Sequence, residues 1–479
     1  MLFMLTNYFP EPQIMNPMPL LYHSTRGSAP ELDLRGATMA GLASDGGLYL
    51  PKIWPQFSAA DLAAMKNKPY IDVALAVLKP FTEGVIDAAT LKQLLTTAYT
   101  SFNDPAITPI KKVGEKLHVL ELFHGPTLAF KDVALQLLGG VFEHFLKESG
   151  ERITVIGATS GDTGSAAMAA LANRKNINVF ILYPQRGPSD IQRKQMTCID
   201  AKNVHAVAVE GTFDDCQAIV KSLFNDAPVR AKYNLAAVNS INWLRILAQM
   251  VYYFVAASKF DKPVSFVVPT GNFGNVFAAY AAMRCGLPIT KLAVASNRND
   301  ILTRFFETGR MKADSVQSSL SPSMDIQVSS NFERLLFDLC GQSGTEVQKL
   351  METMRATGEF SVTPQQLGQA KKIFTAARAG DEQTLATIAE IYKKTGYILD
   401  PHSAVGVAAA THLSLELPEP VVCLACAHPA KFPETIQRAI GITPPLPDAV
   451  SALLRQPERT VLLPADRNKI ERFMAEKLD

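Results

Sequence analysis

The 479-residue sequence has almost no excess of charge of either sign. Lysine and arginine number 47 and aspartate and glutamate 45, which gives a formal net charge of +2 at pH 7. Proteins that bind nucleic acids or acidic membrane surfaces usually carry a strong basic excess. The sequence therefore predicts neither nucleic acid nor a membrane as a partner, and a small-molecule partner becomes the default.

Cysteine is scarce as well, with six residues in the whole chain. Sparse cysteines in a long chain favour free thiols and a reducing, cytoplasmic compartment over a disulfide framework. Cys423 and Cys426 form the one close pair, but they lie in an apolar strand-like run, where residues three apart point to opposite faces. Without a second pair, neither a zinc site nor a redox site is predicted.

The sequence also lacks the run of about 20 apolar residues that a membrane-spanning helix requires. Its first 22 residues begin with an apolar stretch, but prolines interrupt them and the first basic residue is Arg26. A secretory signal is therefore not predicted. We interpret residues 1–19 as an extension that is unstructured, or that precedes a later translation start at Met15 or Met18.

What the sequence does contain, after residue 105, is an alternation of short apolar runs, glycine-rich turns and amphipathic segments. This alternation is typical of an α/β protein with mostly parallel sheets. The runs are nearly continuous in Val, Ile and Ala, as expected for strands that are covered on both faces. The predicted strands are residues 153–158, 178–184, 203–211, 264–270 and 421–427.

Two of the predicted strands run into glycine-rich turns that begin helices. The first turn is ATSGDTGS, residues 158–165, and the second is PTGNFGN, residues 269–275. A helix start presents unpaired backbone N–H groups and the positive end of the helix dipole, which together bind anions. Neither turn has the spacing of a dinucleotide fingerprint or of a P-loop. Two anionic groups on a non-nucleotide ligand are predicted, against the alternative of ordinary strand-to-helix turns.

One lysine, Lys131, follows a Gly-Pro turn and lies between Phe130 and an apolar helical stretch. That helix is expected to begin near Val133, with Asp132 as its N-terminal cap. Burial disfavours the ammonium form of a lysine and so yields a nucleophilic amine that can form a Schiff base. The alternative is a lysine at a helix start whose amine reaches solvent. Together with two anion-binding turns, Lys131 predicts pyridoxal phosphate held as an imine, with cofactor phosphate and substrate carboxylate in separate turns.

The segment HGPTLAFKD, residues 124–132, resembles the cofactor-lysine segment of threonine synthases, which belong to the fold type II (tryptophan synthase β-like) pyridoxal-phosphate enzymes. The resemblance covers about residues 20–440 and is strongest to the longer microbial and fungal branch. The other motifs that carry it follow in the order of that family: YHSTRG (22–27), GLASDGGLYLP (41–51), ATSGDTGSAA (158–167), GTFDDCQ (211–217), SINWLRILAQMVYYF (240–254), PTGNFGN (269–275), SNFERLLFDL (330–339) and AHPAKF (427–432).

The resemblance implies a two-lobed α/β fold of mostly parallel sheets behind a largely helical N-terminal domain. Helical spacing of apolar residues before residue 103 agrees with that domain. Residues 304–383 read as irregular excursions and the tail after residue 427 as mostly helical. The predicted pieces are residues 20–105 for the N-terminal domain, 106–134 with 241–479 for the larger lobe, and 135–240 for the smaller lobe.

The resemblance also implies which residues hold the cofactor. Lys131 would be the imine lysine and would move protons between substrate carbons. Cys426 stands where the family usually has a threonine that faces the pyridine nitrogen, and a thiol is a weak hydrogen-bond partner there. The residues that match the phosphate-binding loop of the family are Gly271, Asn272, Phe273 and Asn275.

Five further residues are predicted to bind the substrate. By resemblance, Ser160, Asp162 and Thr163 belong to the loop that faces the substrate carboxylate and the cofactor ring hydroxyl. Because Asp162 would repel a carboxylate, we expect its side chain to face the imine or ring while backbone amides face the anion. Asn242 and Arg245 are candidates for holding the substrate phosphate, since a planar guanidinium suits a phosphate dianion. The alternative for this pair is to stabilise a domain junction.

Three histidines, His124, His402 and His428, are candidates for assisting proton transfers, although a structural histidine is the alternative for each. They are too scattered in the sequence to indicate a metal site.

The activity that the resemblance implies is conversion of O-phospho-L-homoserine and water to L-threonine and phosphate. Two alternatives remain open at this level. One is another pyridoxal-phosphate-dependent lyase or dehydratase acting on serine, threonine or a phosphorylated analogue. The other is a non-catalytic threonine synthase-like binding protein, which would be expected to lack Lys131. The sequence does not indicate an oligomeric state.

Overall fold

A computed structural model describes residues 18–478. The predicted extension over residues 1–19 lies almost wholly outside the described residues. Within residues 18–478, no helix has the length and apolar character needed to cross a membrane.

The N-terminal region is largely helical, as predicted, with one small antiparallel sheet formed by its two strands. Three of its four helices begin where a polar side chain binds free N–H groups of the first turn, such as Ser58 with Asp61 in a capping box and Asp87 before Ala88. Its elements are β1 (Tyr22–Ser24), α1 (Leu34–Ala40), β2 (Tyr49–Pro51), α2 (Ala59–Met65), α3 (Tyr70–Thr82) and α4 (Ala88–Tyr99).

The middle of the chain alternates strands and helices. Its elements are β3 (Ile110–Lys112), β4 (Leu117–Glu121), α5 (Lys131–Ser149), β5 (Ile153–Ala158), α6 (Asp162–Leu171), β6 (Ile177–Pro184), α7 (Asp190–Thr197), β7 (Val204–Glu210), α8 (Phe213–Asn225), α9 (Ala227–Tyr233) and β8 (Leu235–Ala236).

The remainder of the chain continues the alternation. Its elements are α10 (Trp243–Ala257), β9 (Val264–Pro269), α11 (Gly274–Arg284), β10 (Ile289–Ser296), α12 (Ile301–Thr308), β11 (Arg310–Lys312), α13 (Phe332–Leu339), α14 (Gly344–Thr357), β12 (Glu359–Ser361), α15 (Pro364–Ile373), β13 (Phe374–Arg378), α16 (Asp381–Thr395), α17 (Pro401–His412), β14 (Val421–Ala425), α18 (Pro433–Ile440), α19 (Asp448–Leu453), β15 (Thr460–Pro464) and α20 (Arg467–Leu478).

Two sheets organise the α/β part, which confirms the predicted fold class. The larger sheet has the strand order β13-β10-β9-β14-β4-β3 and is parallel except for β3. The smaller sheet has the order β15-β7-β6-β5-β8 and is parallel throughout. All five strands predicted from apolar runs are present, as β5, β6, β7, β9 and β14.

Helix α10 lies at the centre of the main core. All of its residues are buried, because its sequence WLRILAQMVYYFVAA is apolar on nearly every face. It packs against α3 of the N-terminal region, against α5 and against α11. One buried helix therefore contacts all three parts of the molecule.

The structure corrects the predicted extent of the larger lobe, because residues 241–479 do not all accompany the larger sheet. Strand β15 pairs in parallel with β7 and so covers an edge of the smaller sheet. Ile470 and Met474 of α20 are fully buried in the cluster beneath that sheet, with Phe180 and Val207. A short apolar strand and an amphipathic helix thus bring the tail across to the other sheet.

Candidate active site

The site lies where the strands of the larger sheet end. Strands β4, β9 and β14 are parallel neighbours, and so their carboxyl ends, at Glu121, Pro269 and Ala425, share one edge. Ligand sites of open α/β sheets form at this edge. The loops that carry Lys131, the glycine-rich turn at 269–275 and Cys426 leave the sheet here.

Lys131 is the first residue of α5, and only 7% of it is exposed. Its Nζ lies 4.8 Å from the centre of the Phe130 ring. The backbone N–H of Phe130 donates to the carbonyl of Cys426 at 2.8 Å, which ties this loop to the end of β14. The sequence-based expectation of a buried amine at this position is met.

Asp132 does not cap the helix as the sequence suggested, because α5 already begins at Lys131. Its carboxylate turns back and accepts hydrogen bonds from the backbone N–H of Thr127 at 2.8 Å and from the Thr127 hydroxyl at 2.7 Å. Burial raises the pKa of Asp132 to about 6, although these hydrogen bonds oppose the shift. Asp132 therefore fixes the loop that precedes Lys131.

Asp162, the first residue of α6, is the centre of the polar network, and 4% of it is exposed. Its Oδ2 lies 3.2 Å from Lys131 Nζ and accepts from the Ser323 hydroxyl at 3.3 Å. Its Oδ1 lies 2.8 Å from Lys431 Nζ and accepts from Gln192 Nε2 at 2.9 Å. Burial alone would raise the pKa of Asp162, but the two lysines hold it well below its usual range.

Ser323 joins this network to a buried histidine. Its hydroxyl lies 3.3 Å from Lys131 Nζ, and its backbone N–H donates to His402 Nε2 at 3.2 Å. His402 Nδ1 lies 2.8 Å from Asp400 Oδ1. Because Nε2 accepts a hydrogen bond, Nδ1 carries the proton and donates it to Asp400. The predicted candidate His402 thus reaches Lys131 through Ser323.

Cys426 is held from both sides of its peptide. Its N–H donates to the Ser403 hydroxyl at 3.0 Å, and Ser403 in turn donates to Asp400. Burial, reinforced by the charge of Asp400, raises the pKa of the Cys426 thiol well above its usual range. The sulfur is therefore a neutral thiol.

The turn over residues 269–275 lies beside this network. Phe273 adopts a left-handed backbone with φ of 61° just before α11. A Cβ on Gly271 would lie 2.8 Å from the carbonyl oxygen of Ser323, so that only glycine allows this approach. Asn272 accepts hydrogen bonds from Ser330 and Asn331. Ser323 therefore contacts both Lys131 and this turn.

The side-chain oxygen of Asn275 has hydrogen-bond partners, whereas its side-chain nitrogen has none among the described residues. Its Oδ1 accepts from the hydroxyls of Tyr252 and Tyr253, the latter at 2.8 Å. Its Nδ2 is buried and has no hydrogen-bond partner among the described residues. Since an unsatisfied buried donor is costly, this amide is prepared to bind a ligand acceptor.

In the other predicted turn, residues 158–165, the three candidate side chains differ in burial and in contacts. Thr159 Oγ1 accepts from the N–H groups of Gly161 at 3.0 Å and Gly164 at 2.9 Å, which shapes the turn. Ser160 is exposed and Thr163 is half-buried at the start of α6. Of the three predicted residues of this turn, the structure brings the side chain of Asp162 into contact with Lys131.

Among the hydrogen bonds and ion pairs of residues 18–478, none joins Asn242 or Arg245 to the Lys131 network. Asn242 Nδ2 donates to the carbonyl of Thr38 in α1 at 2.8 Å, and its Oδ1 caps α10 through the Leu244 N–H. These contacts match the alternative of a domain junction. Arg245 is 2% exposed and donates from one terminal nitrogen to the Val238 carbonyl at 2.9 Å. Burial lowers its pKa to about 10, and its Nε has no partner in the described part of the chain.

The other two candidate histidines, His124 and His428, have partners outside the Lys131 network. His124 Nε2 is 2.9 Å from Glu121 Oε2, and Phe123 packs between His124 and His428. Burial lowers the pKa of His428 to about 4, so that it is neutral near pH 7. Within residues 18–478, no three His, Cys, Asp or Glu side chains are arranged to hold a metal ion, and the six cysteines are free thiols.

Sequence reasoning missed four members of the network: Gln192, Ser323, Asp400 and Lys431. Lys431 stands inside the motif AHPAKF, but nothing in the motif shows that its amine turns inward. Ser323 lies in a serine-rich stretch that read as a loop. Their contacts come from distant parts of the chain and have no local signal.

The buried groups fit pyridoxal phosphate. Lys131 supplies a buried amine for the aldehyde, and Asn275 Nδ2 supplies an unused donor for an acceptor oxygen. Gly271 lets the turn approach the backbone of Ser323 closely, beside the N–H groups that begin α11. An amine, an unpaired donor and a glycine-rich helix start are what an anionic aldehyde cofactor requires.

Comparison with known proteins supports this assignment. A family described as pyridoxal-phosphate dependent enzyme matches residues 104–427, and the families threonine synthase N terminus and threonine synthase, C-terminal match residues 21–99 and 403–474. The chain is 48% identical to threonine synthase of Pseudomonas aeruginosa over 95% of this chain and 98% of that protein. It is 44% identical to threonine synthase of Saccharomyces cerevisiae, over 88% and 89% of the two chains.

The fold is also similar to that of a solved threonine synthase structure. The crystal structure of pyridoxal-phosphate-bound threonine synthase from Brucella melitensis superposes with a TM-score of 0.93 at 47% identity, covering 96% of this chain and 99% of that one. The resemblance, the fold type II architecture and the pyridoxal phosphate cofactor inferred from the motifs are confirmed. The chain therefore belongs to the threonine synthase family and is a pyridoxal-phosphate-dependent lyase.

Proposed function

We propose that this enzyme converts O-phospho-L-homoserine and water to L-threonine and phosphate. The observation that carries the proposal is the buried contact between Lys131 and Asp162, 3.2 Å apart, beside a glycine-rich turn that begins a helix in a chain of this family. The substrate has a carboxylate, an amine and a phosphate, and the molecule offers helix starts and buried cations for the anionic groups.

Lys131 is the catalytic residue of this proposal. Its amine would hold the cofactor until the substrate amine replaces it, and the freed amine would then take the proton from Cα. Lys131 would have to pass this proton on before it takes a second one from Cβ, as phosphate leaves Cγ. Two protons would then be returned, one to Cγ and one to Cα after water has added at Cβ. The bound cofactor supplies an electron sink for the charge that develops at the substrate carbons. Asp162 and Ser323, both in contact with Lys131 Nζ, orient the amine for these transfers.

The turn over residues 269–275 is assigned to the cofactor phosphate. The backbone N–H groups of Gly271, Asn272 and Phe273 and the unused Nδ2 of Asn275 are its donors. Cys426 is assigned to the pyridine nitrogen. Because its thiol is neutral and a weak hydrogen-bond partner, it positions the ring without charging it.

Two groups of residues are assigned to the substrate. Ser160, Thr163 and the backbone N–H groups of their turn face the substrate carboxylate, while Asp162 faces Lys131. Arg245, with its unused Nε, is the candidate for the substrate phosphate, and Asn242 orients the start of its helix. The six free thiols support a cytoplasmic location for the enzyme.

An assay of phosphate and amino acid release tests the function. Purified protein with pyridoxal phosphate is incubated with O-phospho-L-homoserine, and equal amounts of phosphate and L-threonine are expected. A 2-oxo acid in place of threonine would instead indicate a dehydratase. Absence of any product would indicate a binding protein, although Lys131 is retained.

Lys131→Ala tests the role of the lysine. Because Lys131 is the amine proposed to form the link to the cofactor, we expect the variant to lose the visible absorbance of the bound cofactor and at least about a thousandfold in kcat. Borohydride reduction of the wild type should fix the cofactor on the peptide that contains Lys131. A label on a different peptide would contradict the assignment.

A further inference from the structure

A second buried lysine, Lys431, contacts the same carboxylate as Lys131. It is fully buried, and its Nζ lies 2.8 Å from Asp162 Oδ1 and 2.7 Å from the Thr127 carbonyl oxygen. Lys131 contacts the other oxygen, Oδ2. A lysine is almost never buried completely unless a partner compensates its charge, and here that partner is Asp162.

Apart from Lys131 itself, Lys431 is the cation that pairs with the carboxylate of Asp162. Lys131 and Lys431 both form ion pairs with Asp162, while Gln192 and Ser323 add neutral donors. On the remaining sides, the ring of Phe130 packs against the amine of Lys131, the proton of His402 is donated to Asp400, and the thiol of Cys426 is neutral. The buried carboxyl of Asp132 also acts on Lys431, but Thr127 binds its oxygens. The carboxylate in contact with Lys131 is therefore that of Asp162, which Lys431 pairs from the other side.

The chemistry of Lys131 requires this balance. When its amine condenses with the cofactor aldehyde, a C=N bond forms, a water molecule leaves, and the proton of the ammonium must first pass to solvent. A single unbalanced carboxylate beside Lys131 would retain that proton. It would also be left as an unpaired buried charge whenever Lys131 moved to the substrate.

We propose that Lys431 is a positioning residue that neutralises Asp162 permanently and so lets Lys131 lose its proton and react with the cofactor near neutral pH. The proposal rests on the proposed role of Lys131. It assigns to Lys431 no contact with the substrate or the cofactor.

Lys431→Met tests the proposal, since methionine has a similar length and no charge. The cofactor-free full-length chain is mixed with pyridoxal phosphate, and the rise of visible absorbance is followed across a range of pH. Removal of the positive charge leaves Asp162 unbalanced and favours the ammonium of Lys131. We expect uptake near neutral pH to slow about tenfold and its pH profile to move up by about one unit.

Two further variants make the comparison specific to charge. Lys431→Arg keeps the charge, and we expect its pH profile to stay within about 0.3 units of the wild type. The double variant K431M/D162N removes both charges of the pair, and we expect its uptake near neutral pH to be faster than that of K431M and its pH profile to move back towards that of the wild type. If K431M does not fold, as judged by circular dichroism, K431Q replaces it and retains a donor for Thr127.

Three results would overturn the proposal. The first is a K431M profile that coincides with the wild type, and the second is a double variant no faster than K431M. The third is a raised KM for the substrate with an unchanged pH profile, which would place Lys431 in contact with the substrate phosphate. Lys131→Ala separates this proposal from the proposed function, because cofactor linkage in that variant would refute the role of Lys131 whatever Lys431 does.

Discussion

Cys426 shows how a site tolerates an unusual residue. Both of its backbone hydrogen bonds, to Ser403 and to Phe130, are independent of its side chain. The position is therefore fixed by the peptide, and the side chain can change without moving the loop. What changes is the strength of one contact, since a thiol is a weaker hydrogen-bond partner than a hydroxyl.

Cys426→Thr is expected to preserve activity and to bind pyridoxal phosphate several-fold more tightly, by about 1 kcal/mol, because a hydroxyl is a stronger hydrogen-bond partner than a thiol. The measurement is the dissociation constant of the cofactor by equilibrium dialysis. Cys340→Thr, at a half-buried position in a different part of the chain, is the matched control and should leave the constant unchanged. A tenfold weaker affinity in C426T would show that Cys426 does not face the cofactor ring.

The sequence predicted those site residues whose surroundings are local. Lys131 stands beside an apolar helix, and Gly271 lies in a turn between a strand and a helix, so that neighbouring residues alone indicate a buried amine and an anion site. Ser323 and Lys431 were missed because they reach the site through tertiary contacts. No pattern near Ser323 indicates that its backbone binds His402.

At the scale of elements, the segment over residues 319–331 covers the turn over residues 269–275. Ser329 donates to the Gly271 carbonyl at 2.8 Å, and Asn331 donates to the Asn272 carbonyl at 3.0 Å. Asp325 anchors the segment by accepting from Asn297 at 2.7 Å. This segment read as an irregular excursion in the sequence, yet it places Ser323 against Lys131.

Gly271→Ala tests the fit between this segment and the turn. The new Cβ would lie 2.8 Å from the backbone oxygen of Ser323, which cannot rotate away. We expect the segment to be displaced and cofactor affinity to fall by at least about 2 kcal/mol, or thirtyfold. Gly368→Ala, where no atom lies within 4 Å of the new Cβ, is the control and should keep the affinity of the wild type. Equal affinities in the two variants would contradict the close approach.

The sequence predicted some strands and missed others. β5 and β9 are buried runs of Val and Ile and were found, because burial on both faces leaves a continuous apolar pattern. β13 and β15 were not, since each is an edge strand of five residues with partly exposed side chains. An edge strand has one neighbour only, and so it carries little of the pattern that identifies central strands.

At the scale of the whole molecule, the tail links the two sheets. It leaves the larger sheet after β14, and β15 and α20 complete the smaller one. The division into lobes by sequence was wrong here because a domain boundary follows contacts and not chain order. The smaller lobe is consequently built from two segments that are far apart in the chain.

Ile470→Ala should destabilise the smaller sheet selectively. Ile470 is fully buried, and its truncation is expected to cost about 2–5 kcal/mol. Amide hydrogen exchange should accelerate in β7 and β15, while β9 and β10 of the larger sheet keep their protection. Leu462→Ala, in a side chain that is 46% exposed, is the control and should have a much smaller effect. Uniform acceleration in both sheets would show that they unfold as one unit.

The pairing of β15 with β7 has a consequence for biosynthesis. On the ribosome, β7 emerges long before residues 460–464 are made, and until then its outer edge has unpaired N–H and C=O groups. That edge of β7 therefore stays unpaired while four strands of the larger sheet, β9, β10, β13 and β14, are synthesised. Nascent chains of this enzyme are accordingly expected to need a chaperone during that interval, and to aggregate when translation stalls before residue 460.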